Sequence, residues 1–221
     1  MLVLNAIAPV REGLLSRVTL HIGRKLMLLV LLPPLLNVCY FLPQWTPIFR
    51  GHHSIPVTFI DRLVPFDAGW VLAYMSMYVM LVIPPALART TEQLRRYLIG
   101  MAIMFVVAGV CFFLYPVAYA RPTLPAGAPW LYRLVVSMDQ PINCIPSLHA
   151  GMTVYAMLLL GRILDDVPAV TRRAMLAVGW VWTALILYGT LATKQHYFWD
   201  LPAGAVLAWG SDRVAWGIRS E

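Results

Sequence analysis

Long runs without a single charge, broken at intervals by short clusters of arginine, dominate the chain. No charged residue stands between Lys25 and Arg50, between Asp67 and Arg89, between Arg96 and Arg121, or between Arg173 and Lys194. The hydrocarbon core of a bilayer takes about 20 consecutive apolar residues per helix, so each run predicts one transmembrane helix. A fifth is expected from about Ile145 to Leu160, opening just after Pro141 and Pro146 and closing at Arg162. A sixth is expected from about Phe198 to Ile218, with Asp200 at one end and Asp212 and Arg213 near the other. The runs are apolar on all sides instead of alternating, which argues against spanning strands. The pattern therefore predicts an all-α integral membrane bundle of six transmembrane helices forming one domain, residues 26–221, behind a cytoplasmic segment, residues 1–25. Within that segment Leu14, Leu15, Val18 and Ile22 share one helical face while Arg17, His21 and Arg24 share the other. This suits an interfacial helix and a plain cytoplasmic lead-in equally well. The first ten residues lack the basic stretch of a cleaved signal.

Composition agrees with this picture: 12% of residues are charged, against about 25% in ordinary soluble domains. Six spans put both termini on one side. With the N-terminus inside, Arg11, Arg17, Arg24, Lys25, Arg89, Arg95, Arg96, Arg162, Arg172, Arg173, Arg213 and Arg219, 12 of the 17 basic residues, face inward. Only Arg50, Arg62, Arg121, Arg133 and Lys194 face outward. Cytoplasmic loops carry the excess of Lys and Arg, so both termini are expected in the cytoplasm. In a bacterium this is the inner membrane, with the other face toward the periplasm or exterior. Topology and anionic headgroups then account for the net charge of +7, with no nucleic-acid partner. Cys39 and Cys111 fall inside spans and Cys144 stands alone in an outward loop, so no disulfide and no cysteine metal site is implied.

Ionisable groups at a membrane boundary are costly and mark function. The outward loops hold an unusual set. One runs SMDQPINCIPSLH, residues 137–149; another runs TKQHYFWD, residues 193–200; the end of the third span adds YPVAYARP, residues 115–122. His196 and Asp200 are four apart, so on one helical face the carboxylate can fix the imidazole tautomer, the arrangement that activates a nucleophile or base. Ser147, after Pro146 and before an apolar run, occupies a helix-cap position whose free N–H groups and dipole suit a phosphate. His149 can face the same ligand, and Arg121 and Lys194 are the cations nearest these loops. The set suggests phosphoryl transfer without a metal or other cofactor. Each residue alone has a plainer reading: His149 as an interfacial side chain, Asp200 as a partner of Lys194 or a cap, Arg121 as a headgroup anchor.

Pro146-Ser-Leu-His149 followed by His196-Tyr-Phe-Trp-Asp200 resembles the second and third motifs, P-S-x-H and H-x-x-x-D, of the type 2 phosphatidic acid phosphatase superfamily, and Arg121-Pro122 is similar to the end of its first motif. Residues 139–149, His196-Tyr197 and residues 60–66 resemble the inositol phosphorylceramide synthase-like branch, related to the sphingomyelin synthases. The likeness runs from about Arg50 onward. It implies a six-helix core and a phosphohistidine intermediate, with His196 as nucleophile, Asp200 orienting it, and His149 as the acid that protonates the leaving oxygen. It also implies Ser147, Arg121 and Lys194 on the phosphate oxygens, with Asn143 and Gln140 in support. Two departures stand out: Leu114 takes the place of the first motif's Lys, and Gly189 and Thr190 take the place of the third motif's Ser-Arg. Expected partners are a lipid phosphate or phospholipid, the bilayer, and an alcohol acceptor if the enzyme transfers instead of hydrolysing. A lipid-phosphate transporter with helices broken at Pro33-Pro34 and Pro84-Pro85 is the rival of another class.

Overall fold

The computed structural model describes residues 13–45 and 51–218. Arg11, Arg50 and Arg219, which enter the charge tally, lie outside them. Among the described residues there are helices and no strands: α1 (Ile22–Trp45), α2 (Phe59–Leu63), α3 (Val71–Met75), α4 (Met77–Leu87), α5 (Thr91–Leu114), α6 (Trp130–Met138), α7 (Leu148–Ile163), α8 (Ala169–Ala192) and α9 (Asp200–Gly217).

Four segments are long and apolar enough to cross a membrane: Ile22–Trp45, Ala68–Leu87, Thr91–Leu114 and Ala169–Ala192. They coincide with the four charge-free runs. The fifth and sixth expected spans exist as α7 and α9, but length and composition do not mark them as crossing. α7 has 16 residues, short for a hydrocarbon core, and the 18 residues of α9 include Asp200, Asp212 and Arg213. Their place in the bundle is nevertheless central, since α7 packs against α4, α5, α8 and α9. The prolines do not break the helices: α1 continues through Pro33 and Pro34, and α4 through Pro84 and Pro85.

Close helix approaches rest on small residues, as they do where apolar driving force between helices is weak. A Cβ on Gly204 of α9 would sit 2.2 Å from the Ser147 carbonyl oxygen, and one on Gly109 of α5 would sit 2.8 Å from the Cys39 carbonyl oxygen of α1. Helix starts follow from local chemistry: Thr90 and Gln93 form a capping box at α5, and the Ser147 side chain accepts from the Ala150 N–H at α7.

The amphipathic helix considered for residues 14–22 is replaced by a short 3-10 turn, Ser16–Val18. Arg17 does not face solvent but is buried, because its guanidinium reaches the Asp166 carboxylate at 2.5 Å between α7 and α8. Arg89 joins the same carboxylate at 2.9 Å. Nearby, Arg162 pairs with the buried Asp212 of α9 at 2.5 Å and lies over the Trp216 ring. The arginines of this end thus tie helix termini together, besides any part they take at a headgroup surface.

Candidate active site

At the opposite end of the bundle three connections meet: residues 115–129 after α5, residues 139–147 between α6 and α7, and residues 193–199 between α8 and α9. Isolated bridges pair His53 with Val117 and Val117 with Asn143. The Ser147 N–H donates to the Asp200 carbonyl at 3.0 Å, joining the start of α7 to the start of α9.

His196 lies in the turn ahead of α9, whose first residue is Asp200. The His–Asp pair therefore forms across that turn and not along a helix. Gln195 and His196 both donate their N–H to the Thr190 carbonyl, folding the chain back over the end of α8. His196 Nδ1 stands 3.1 Å from the Cys144 carbonyl and 3.3 Å from Asp200 Oδ2. Both partners only accept, so Nδ1 carries the ring proton and Nε2 keeps its lone pair. Asp200 is fully buried, and a buried carboxylate demands donors. It has them in the Tyr197 N–H at 2.9 Å and the Tyr119 hydroxyl at 3.2 Å. Lys194 is not its partner.

His149, the second residue of α7, stacks on Tyr74 with ring centroids 4.1 Å apart and faces His196 at a centroid distance of 5.6 Å. Ser147 is the fully buried helix cap that its sequence position implied. Arg121 is brought to the same place but is engaged. Its guanidinium donates to the Asp139 carbonyl, to Asp139 Oδ2 at 3.0 Å and to Gln195 Oε1 at 2.8 Å. Asn143 donates to the Tyr40 carbonyl, and the Gln140 N–H to Gln44 Oε1 at 3.3 Å. Lys194 is set apart: with a left-handed φ of 53°, it directs its ammonium to the carbonyls of Asp61 and Val64 at 2.9 and 2.6 Å. Burial lowers its pKa, and the Asp61 carboxylate opposes that shift.

Four buried polar atoms here have no partner: Arg121 Nε, Gln195 Nε2, His149 Nε2 and Asn143 Oδ1. Unpaired buried groups are expensive, and a polar ligand bound here would satisfy them. Cys144 is also buried, but burial and the nearby Asp200 push its thiol pKa up, which leaves it protonated and a poor nucleophile. A cavity of about 330 Å³ is lined by Tyr40, Tyr74, Leu134, Met138 and Met152 together with Asp139 and His149.

The missing motif cations have a structural counterpart. A Cβ on Gly189 would lie 3.0 Å from the Tyr74 backbone nitrogen, so that position supports the close approach of α8 to α3. Leu114 lines an apolar groove of about 960 Å³ on the α5 and α9 surface. The sequence stretches singled out above contain Tyr119, Gln195 and Asp61 without giving them a part, and they do not include Tyr74 or the α1 residues Tyr40 and Gln44.

Residues 52–213 match the family model described as the PAP2 superfamily. Neither a curated protein nor a solved structure matches the chain.

Proposed function

The chain belongs to the PAP2 superfamily, and from that membership we propose that it is a membrane lipid phosphatase or phosphotransferase working through a phosphohistidine at His196. One observation carries the reading: two imidazoles face each other at 5.6 Å, His196 with its Nδ1 held by acceptors and His149 with a buried Nε2 that has no partner.

In the first step His196 Nε2 bonds to phosphorus as the bond to the leaving alkoxide oxygen breaks, and His149 gives that oxygen its proton. Asp200 stabilises the positive charge that grows on the His196 ring. In the second step His149 takes a proton from water, the oxygen bonds to phosphorus, and the N–P bond breaks. Arg121 Nε, Gln195 Nε2 and Ser147 support the phosphate oxygens, with Asn143 and Gln140 shaping the same loop. Lys194 contributes at most the one N–H its two carbonyl bonds leave over.

The reading includes six spans, with α7 and α9 among them, cytoplasmic termini, and a site on the outer face of a bacterial inner membrane, as the arginine distribution supports. A second reading, transfer to a lipid alcohol as in the inositol phosphorylceramide synthase-like branch, is favoured by the apolar cavity that His149 lines. There a hydroxyl would replace water in the second step.

Purified protein in detergent micelles is given phosphatidate, undecaprenyl diphosphate and phosphatidylinositol, with and without ceramide or another alcohol, while free phosphate and lipid products are followed. Phosphate release that is lost in His196→Ala establishes the phosphatase. A new acceptor-linked lipid without free phosphate establishes the transferase. Silence across the panel favours a transporter.

A further inference from the structure

Arg121, the cation closest to the unpartnered cluster, does not approach a phosphate as a free charge. Its guanidinium meets the carboxylate and carbonyl of Asp139 on one side and Gln195 on the other. These bonds use three of its five N–H groups, and its Nε is buried without a partner. The pair is sheltered, with the two side chains 11% and 17% exposed. Asp139 is itself fixed by helix α1, where the Tyr40 hydroxyl and Gln44 Nε2 donate to its Oδ1 at 2.9 and 3.0 Å. α1 lies outside the family match, which begins at residue 52. Asp139 and His149 both line the cavity described above, which places the pair beside the space a substrate would enter.

The two cations nearest the histidines in sequence, Arg121 and Lys194, each have an acidic residue beside them. Arg121 is matched by Asp139, Lys194 by the nearby Asp61, and Asp200 adds a further negative charge beside His196. A site of this kind is a poor host for a dianion. At neutral pH a phosphate monoester carries a charge of about −1.5 to −2, whereas a diester carries one charge. Specificity is a difference of affinities, and an unfavourable charge facing the wrong substrate is one way to build it.

We infer that Asp139 is a specificity-determining residue: by matching Arg121 it makes the site accept a singly charged phosphodiester and disfavour the doubly charged monoester. The inference rests on the proposed phosphate site. It requires Asp139 to act by its negative charge, offsetting Arg121 and opposing a second charge on the phosphate, with no part in proton transfer.

The test is a binding measurement, so that it does not depend on turnover. The full chain carrying His196→Ala, in detergent micelles, is titrated with short-chain phosphatidate and with its methyl ester, which share tails and differ by one ionisable oxygen. The parent is expected to bind the methyl ester at least tenfold more tightly. Adding Asp139→Asn should bring the ratio within threefold, chiefly by tightening phosphatidate, and Asp139→Glu should restore it. Should the Asn variant not fold, Arg121→Gln replaces it and should widen the ratio, since Asp139 is then unmatched. Equal affinities in the parent, a ratio unmoved by Asp139→Asn in folded protein, or no widening with Arg121→Gln would overturn the inference. The expected ratios without turnover by the wild-type chain would sink the proposed chemistry and leave this selectivity standing; no binding of either ester would overturn both.

Discussion

The Tyr119 hydroxyl donates to Asp200 Oδ1 at 3.2 Å, on the carboxylate oxygen opposite the one that faces His196. The link crosses 81 residues of sequence and leaves Asp200 with donors on both oxygens. Burial and the neighbouring Asp200 raise the pKa of the Tyr119 phenol above its usual range, so it stays a donor throughout neutral and mildly alkaline pH. Tyr119→Phe should cut turnover about tenfold, the worth of one hydrogen bond of about 1.4 kcal/mol. Its pH–rate profile should run parallel to that of the wild-type chain; a profile with a missing alkaline limb would show that Tyr119 itself titrates in the reaction.

Asp200→Asn keeps the shape of the carboxylate and removes its charge. The loss expected from wrongly oriented or unstabilised imidazole chemistry is on the order of 10² to 10⁴ in turnover. Substrate affinity should change little, and rapid-quench single-turnover measurements separate the two.

The two histidines should respond differently to the leaving group. His149→Ala should lose most of its activity on an alkyl ester but recover on a nitrophenyl ester, whose oxygen needs no proton. His196→Ala should recover on neither, because no nucleophile remains. Equal recovery of both variants would contradict the assignment of roles.

Gly204→Ala places a methyl group 2.2 Å from the Ser147 carbonyl oxygen, a backbone atom that cannot swing aside. Overpacking of this kind costs about 1–3 kcal/mol, and detergent-solubilised protein should unfold several degrees earlier with reduced activity. Gly210→Ala in the same helix meets nothing within 4 Å and serves as the control; it should be neutral or slightly stabilising.

Lys194→Met removes the ammonium that holds the Asp61 and Val64 carbonyls. The expected result is a lowered unfolding temperature and a KM change below about tenfold, in contrast to a larger catalytic loss for Arg121→Lys, whose single ammonium cannot reproduce a planar fork. A catalytic loss for Lys194→Met as large as that for Arg121→Lys would place Lys194 on the phosphate.

How much of this was legible in the chain depended on distance along it. The charge-free runs placed four long helices closely, because burial in lipid leaves a mark on every residue of a segment. α7 was found from the prolines ahead of it and Arg162 behind it, and α9 from the uncharged stretch between Asp200 and Asp212, although their brevity and charges keep composition from marking them as spans. Ser147 as a cap and His196 beside Asp200 were readable because cap and pair are local. Tyr119, Tyr40, Gln44 and Asp61 were not, since each acts on a group far away in sequence and only the fold brings them together. Arg121 was readable as a cation at the site, but its engagement by Asp139 was not. The pattern of residues 14–22 did not disclose the burial of Arg17 for the same reason: its partner, Asp166, is distant in sequence.

The N–H of Ser147 on the Asp200 carbonyl, together with the absent side chain at Gly204, leaves the stretches bearing the two histidines almost no play. Their spacing is then set by backbone contacts and not by side-chain rotamers alone. Any breathing that admits a substrate falls to other walls of the site. α6 is one such wall: it exposes Trp130, Leu134 and Met138 and borders the cavity that His149 lines. On the proposed function, chemistry and substrate entry then fall to different parts of the molecule, and a stiffened α6 is expected to slow turnover without any change at His196.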